Sequence, residues 1–218
     1  SLAHRSVLFL DEAPEFRKGL LQSLREPIEF ERVTIARADR KVTFPSSFQL
    51  IATANPCPCG NLGREDKVCL CGPDEVNRYW RRLGGALLDR IDIRVPVGAV
   101  GVYALAGNGD AGSREIRERV VRAVTVQRRR YQGLHFSRNS RIPPGLMHRF
   151  CFLEDALVSL LSRAVCKLSL SSRAYHSVIR VARTIADLEG EEKIGREHVL
   201  EALQHRRYGD ENTFWETP

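Results

Sequence analysis

The chain has 218 residues, a net charge of +7 and a hydrophobic share of 43%. That length holds one large or two small domains around a real core, and the composition excludes wholesale disorder. The positive surplus, mostly arginine, suits nucleic acid or another polyanion, although solvated helix faces and phosphate-binding arginines account for it as well.

No signal peptide is visible, and the most extended apolar stretch, Val95 to Gly107, is broken by Pro96, Gly98 and Gly101. It is too short for a bilayer, so the expectation is a cytoplasmic protein without a membrane partner, its cysteines reduced.

In chain order, the first apolar run, Val7-Leu8-Phe9-Leu10, stops at two adjacent carboxylates, Asp11 and Glu12, and reads as a buried strand. Pro14 suits the first turn of a helix, Phe16, Leu20 and Leu24 repeat at fourfold spacing, and Pro27 is expected to stop it. Arg32-Val33-Thr34-Ile35 and Val42-Thr43-Phe44 are β-prone, so residues 31–44 predict a hairpin whose charged tip runs from Ala36 to Lys41. A second apolar strand, Phe48 to Ala54, stops at Asn55. A cysteine-rich loop follows, then a helix capped by Asp74 that contains Val76, Tyr79, Trp80 and Leu83. Gly84-Gly85 breaks that helix, and Ile91 to Val97 reads as a last strand.

From Gly107 to Ser113 the composition is that of a linker, and beyond it the period is purely helical. Ile116, Val120, Val124 and Tyr131 mark one helix, and Leu157, Leu160, Leu161, Ala164, Val165 and Leu168 a second. Tyr175 to Ala186 makes a third, with Ser171 or Ser172 as its cap and Gly190 at its end, and Val199, Leu200 and Leu203 a short fourth. The predicted organisation is α/β, a partial parallel sheet followed by a small all-α domain. Residues 1–106 hold the sheet, the hairpin (31–44) and a cysteine knuckle (57–71); 107–113 form a linker, 114–208 a helical lid and 209–218 a tail.

Ligands of open α/β sheets bind beyond the carboxyl ends of the strands, so two strands ending in acids and an amide suit nucleotide hydrolysis. Asp11 is then the magnesium ligand, Glu12 orients or deprotonates the attacking water, and Asn55 helps place it near the γ-phosphate. The plain alternative is a strand meeting a polar loop. The amide-ended strand, arriving after a helix and a hairpin, favours the functional reading, and it places Asn55 beside the acids if the two strands are neighbours in a parallel sheet. No G-x-x-x-x-G-K-[ST] phosphate loop occurs and the chain opens on Ser1, which reads as the C-terminal piece of a longer ATPase, inactive alone and with almost no ATP binding.

Cys57-Pro58-Cys59-Gly60 and Cys69-Leu70-Cys71-Gly72 offer four thiolates for a tetrahedral structural Zn2+, the glycines permitting tight turns. Unpaired buried thiols and an iron–sulfur cluster are the alternatives. Cys151 and Cys166 read as core residues, the histidines as structural, and Arg180 and Arg183 as surface charges.

His4 to Glu12, Leu50 to Gly60, Leu87-Leu88-Asp89-Arg90-Ile91-Asp92, Ser171 to His176 and Val181 to Leu188 resemble, in this order, the magnesium-chelatase-like AAA+ ATPases of the YifB/ComM type. The resemblance implies that Asp11 and Glu12 are the Walker B pair and Asn55 is sensor 1. It further implies that Arg90 is an arginine finger, with a local ion pair to Asp89 or Asp92 as its alternative, and that Arg173 is sensor 2. ATP and Mg2+ are the implied cofactors, a homohexameric ring the implied assembly, and DNA remodelling or branch migration in recombination or natural transformation the implied activity. The hairpin then faces a central pore, where Arg37, Arg40 and Lys41 are candidate DNA contacts. An ATPase subunit for magnesium insertion into a porphyrin and a non-catalytic zinc module that binds nucleic acid or scaffolds a ring are the other readings. Ala13, and Gly85-Ala86 before the finger, depart from the family pattern.

Overall fold

Leu8 and Leu10 draw a four-residue strand, β1 (Val7–Leu10), onto an apolar core. The computed structural model describes residues 2–37, 40–64, 66–98 and 112–207. These fall into two compact units, one ending at Ile91 and the other starting at Asp92.

In the first unit a 3-10 turn, Ala13–Glu15, follows β1 with Pro14 inside it. Two short helices come next, α1 (Lys18–Ser23) and α2 (Arg25–Phe30), joined at Leu24. The expected stop at Pro27 does not occur. Pro27 is the third residue of α2, within the first turn, where backbone N–H groups have no intrahelical acceptor and a missing donor is not felt. The apolar stripe is displaced as well, since Leu21 is fully buried while Leu20 is exposed.

The hairpin forms as β2 (Arg32–Arg37) and β3 (Arg40–Pro45), antiparallel, with Val33 opposite Phe44 and Arg37 opposite Arg40. The Thr34 and Thr43 hydroxyls lie 3.2 Å apart across it. Strand β4 (Gln49–Ala52) then pairs with β1 in parallel, from Val7 opposite Gln49 to Leu10 opposite Ala52. Parallel pairing requires a crossover, and the helices and hairpin supply it. Leu10, Ala13, Leu21, Leu83 and Leu87 form the core of this unit, with Leu8 and Leu50 packed against it. Side chains alternate across a sheet, so only one face is covered; Val7, Phe9 and Ile51 remain exposed, contrary to the expectation of buried strands.

Helix α3 (Pro73–Trp80) starts from Gly72, whose N–H is accepted by the Glu75 carboxylate at 3.1 Å. Asp74 is therefore inside the first turn and does not cap it. The short helix α4 (Gly85–Leu88) begins after Gly84, which has φ 72 and lies so close to Gln22 that a Cβ would meet its Nε2 at 2.6 Å. Both constraints favour glycine there.

The last strand expected over Ile91 to Val97 is not formed among the described residues. Arg94 N–H instead donates to the His205 carbonyl at 2.9 Å, within the second unit. Most of the expected linker and the whole expected tail lie outside the described residues.

The second unit is helical, with α5 (Ser113–Arg130), α6 (Met147–Phe150), α7 (Asp155–Lys167), α8 (Ser172–Glu189) and α9 (Arg196–Arg207). Ser171 Oγ caps α8 by accepting from Ala174 N–H at 3.0 Å, and Gly190 ends it at φ 83. Val178, Ala182 and Ala186 of α8 are fully buried, and Val178 and Ala182 share a core with Tyr131, Ile142, Leu161, Val199 and Leu203.

The Asp187 side chain is fully buried and binds Arg130 through both guanidinium Nη atoms, at 2.6 and 2.8 Å. It also accepts from Asn139 at 2.8 Å and from Arg183 Nε at 3.2 Å. Arg183 is buried, not a surface charge, and its Nη groups donate to the Glu191 and Glu192 carbonyls at 2.5 and 2.6 Å. Arg180 likewise donates to the Ile142 carbonyl. Cys151 is a core residue as expected, whereas Cys166 is exposed. Ile116 and Val120 of α5 stay exposed because that helix buries only Ala123 and Gln127 near its far end. No helix of the described residues is long and apolar enough to cross a membrane.

Candidate active site

Because β1 and β4 run parallel side by side, Asp11 and Glu12 leave the sheet at the same end as Asn55. The ladder continues beyond both strands, with Thr53 N–H donating to the Leu10 carbonyl at 2.9 Å and Ala13 N–H to the Thr53 carbonyl at 2.8 Å. Thr53 Oγ1 donates to Asp11 Oδ1 at 2.6 Å and accepts from Glu12 N–H at 2.9 Å.

Glu12 has φ 50 and ψ 51, a left-handed conformation that is uncommon for a residue with a Cβ and is held here by its neighbours. The reversal brings its carboxylate to Asn55, whose Nδ2 donates to Glu12 Oε1 at 3.4 Å. All three side chains are exposed, open to a ligand. Two carboxylates at this opening are a hard-oxygen set of the kind Mg2+ takes.

Three further residues shape the site. Thr53 aligns Asp11, and its only sequence signal is a hydroxyl two positions before Asn55. Asn55 N–H donates to Tyr79 Oη at 3.3 Å, and Trp80 Nε1–H donates to the Pro56 carbonyl at 3.1 Å. Tyr79 is 3% exposed, and burial pushes its phenol above the ordinary range.

The four cysteines of the knuckle come together, all their Sγ atoms within 4.8 Å of one another. Cys57 lies 3.4 Å from Cys59 and 3.6 Å from Cys69, and Cys59 lies 3.7 Å from Cys69. Tetrahedral zinc with bonds of about 2.3 Å separates its sulfurs by about 3.8 Å, so the donor set fits. Cys59 and Cys71 are shifted in opposite directions. The Asn61 backbone N–H, then bonds from the other thiols, lower Cys59 to about 6. Cys71 is pulled down by a backbone bond at Cys59 but pushed up more by its bonds to neighbouring thiols and by desolvation, to about 12. A cation removes that conflict.

Arg90 is half-buried and donates to Glu29 Oε2, through Nε at 3.1 Å and through Nη2, and to the Ala86 carbonyl at 2.6 Å. Glu29 is a partner its sequence neighbourhood does not suggest. Arg173, partly buried, is the second residue of α8 and belongs to the second unit. Arg40 and Lys41 are exposed at the start of β3, Arg37 ends β2, and residues 38 and 39 at the tip lie outside the described residues.

The family model for magnesium chelatase, subunit ChlI, matches residues 1–105, and that for the C-terminal part of the same subunit matches residues 110–206. Competence protein ComM of Haemophilus influenzae is 40% identical over 209 residues, 94% of this chain and 40% of its own. The YifB proteins of Salmonella typhimurium and Escherichia coli are each 37% identical with the same coverage. The chain belongs to the magnesium-chelatase-like AAA+ family that includes the ComM and YifB proteins. It spans about two fifths of the length of these curated relatives.

Proposed function

We propose that this chain supplies the metal-holding and water-orienting part of an ATP-hydrolysing motor. The observation that carries the reading is the convergence of Asp11, Glu12 and Asn55 at the carboxyl ends of β1 and β4. In it Asp11, aligned by Thr53, holds Mg2+, which supplies neutralising charge at the β- and γ-phosphates. Glu12 fixes the attacking water and takes its proton, and Asn55 steadies Glu12 and that water from the other side. Arg173, the second residue of α8, is the sensor-2 arginine of this reading, a cation for a nucleotide phosphate in the assembled motor.

Arg90 is the finger offered to the nucleotide of a neighbouring subunit in a homohexameric ring, where positive charge stabilises the transferring phosphoryl. Its rigid fork suits either Glu29 or a phosphate. Relatives extend well past the matched region, which leaves room for a phosphate cradle that these residues do not contain. Cys57, Cys59, Cys69 and Cys71 hold a structural Zn2+, a closed four-sulfur site without an open position for chemistry.

The client in this reading is DNA, remodelled as the motor turns over. The net charge of +7, the exposed Arg40 and Lys41 and the designation of ComM as a competence protein support it. A second reading, an ATPase subunit for magnesium insertion, is favoured by the description of the matching family models. Stimulation of ATP turnover by DNA separates the two, since only the first requires it. For the chemistry, Glu12→Gln in the full-length protein is expected to keep nucleotide binding and lower turnover by about 10²-fold or more. Hydrolysis at the unaltered rate removes Glu12 from its role.

A further inference from the structure

We propose that metal binding at the cysteine cluster positions Asn55, by tying the loop that presents this amide to the helix that steadies it. The inference rests on the zinc reading above and adds to it, since the cluster then acts on the reacting groups through Asn55.

The covalent path is short. Cys57 lies two residues after Asn55 and is wholly buried, so a sulfur fixed there leaves little freedom in the intervening Pro56. Leu62 N–H donates to Cys57 Sγ at 3.4 Å, and Gly60 N–H to the Cys57 carbonyl at 3.0 Å. Gly60 has φ +74, and a Cβ on it would stand 3.9 Å from Asn55 Cγ, so the turn beyond the first cysteine pair lies against the carboxamide itself.

The second pair closes the circuit. Cys71 is followed by Gly72, from which α3 starts, and α3 carries Tyr79 and Trp80 back to the amide. Tyr79 Oη accepts from Asn55 N–H, and Trp80 Nε1–H donates to the Pro56 carbonyl. One end of the circuit is thus Cys57 and Cys59 beside Asn55, and the other is Cys69 and Cys71 at the foot of α3. Two hydrogen bonds at an exposed loop are weak restraints, whereas closure of four thiolates on one ion is a strong one. Tyr79 and Trp80 are positioning residues on this account, and the cluster determines whether they can act.

The chain has two tryptophans, Trp80 and Trp215, so Trp215→Phe leaves Trp80 as the single indole reporter. In that variant zinc is first counted by metal analysis. It is then stripped with a chelator under reducing conditions and restored with zinc chloride. The Trp80 indole and Asn55 backbone N–H signals are followed by 15N NMR throughout. The expected result is one zinc per chain, displacement of both signals on removal, and their return on restoration. In the full-length protein the same cycle is expected to lower kcat by about 10²-fold with the KM for ATP little changed, because the loss is one of geometry at the reacting water. Zinc that leaves and returns while both signals stay put overturns the coupling and leaves the zinc reading standing. A chain that takes up no zinc overturns both. Neither outcome bears on Glu12, which Glu12→Gln tests separately.

Discussion

Thr53 places one hydroxyl between two acidic residues, donating a hydrogen bond to Asp11 and accepting one from the Glu12 backbone N–H. A hydrogen bond to a charged group contributes about 1.5–3 kcal/mol, enough to hold one carboxylate rotamer in an exposed site. Thr53→Val keeps the shape and the β-branch but frees Asp11. It is expected to raise the Mg2+ concentration needed for half-maximal turnover of the full-length protein about tenfold, and Thr53→Ser to restore it. Equal behaviour of the two variants would show that the hydroxyl does not align Asp11. Asp11, Glu12 and Asn55 were legible in the sequence because polar groups ending apolar strands are conspicuous. Thr53 was not, because threonine inside a strand reads as an ordinary β-former. Arg183 illustrates the opposite error. A charge looks like surface until its partners are known, and here Asp187 and two carbonyls satisfy it inside the core.

Elements were legible where one local rule governs. The β2–β3 hairpin follows from β-prone runs on either side of a charged turn, and α8 from its apolar period, its Ser171 cap and its terminal Gly190. Misreadings arose where two local rules compete. Pro27 signals a stop in a helix interior but is harmless in a first turn, and the sequence alone does not say where α2 begins. Asp74 is a good cap residue, yet Gly72 and Pro73 start the helix two positions earlier. The hairpin also carries a prediction at this scale. If it grips a phosphate backbone, replacing Arg40 and Lys41 together by alanine should weaken DNA binding and flatten the plot of log affinity against log salt by about 0.9 for each lost contact on duplex DNA. An unchanged slope in a binding titration removes the hairpin from the interface.

Each unit of the molecule carries a core of its own, and that of the second unit encloses the Asp187 cluster. Burial raises the pKa of Asp187, but the bonds from Arg130 and Asn139 and the charges of Arg130 and Arg183 outweigh it, and the carboxyl is held below its ordinary value. Its unfolded value is about 3.9, so its stabilising contribution is fully present above that pH and is lost as pH falls through the lower folded value. Urea denaturation of the helical unit, followed by circular dichroism, should therefore show stability falling below about pH 4. Asp187→Asn leaves Arg130 and Arg183 without their carboxylate and should lower stability at neutral pH by about 3–5 kcal/mol, with less acid dependence. Equal stability of the variant and the parent would mean that the cluster contributes nothing net.

Alone, the sequence determined what a residue's own chemistry and its near neighbours govern: the strands ending in acids and an amide, the hairpin, the apolar stripe and ends of α8, and the two cysteine pairs. Tertiary structure alone decided which distant groups meet: Thr53 with Asp11, Tyr79 with Asn55, Arg90 with Glu29 and Arg130 with Asp187. The division has a physical cause. Backbone period and capping act over a few residues, whereas these pairings depend on the crossover that sets β4 beside β1 and on how each core packs, and no short stretch of chain contains that information.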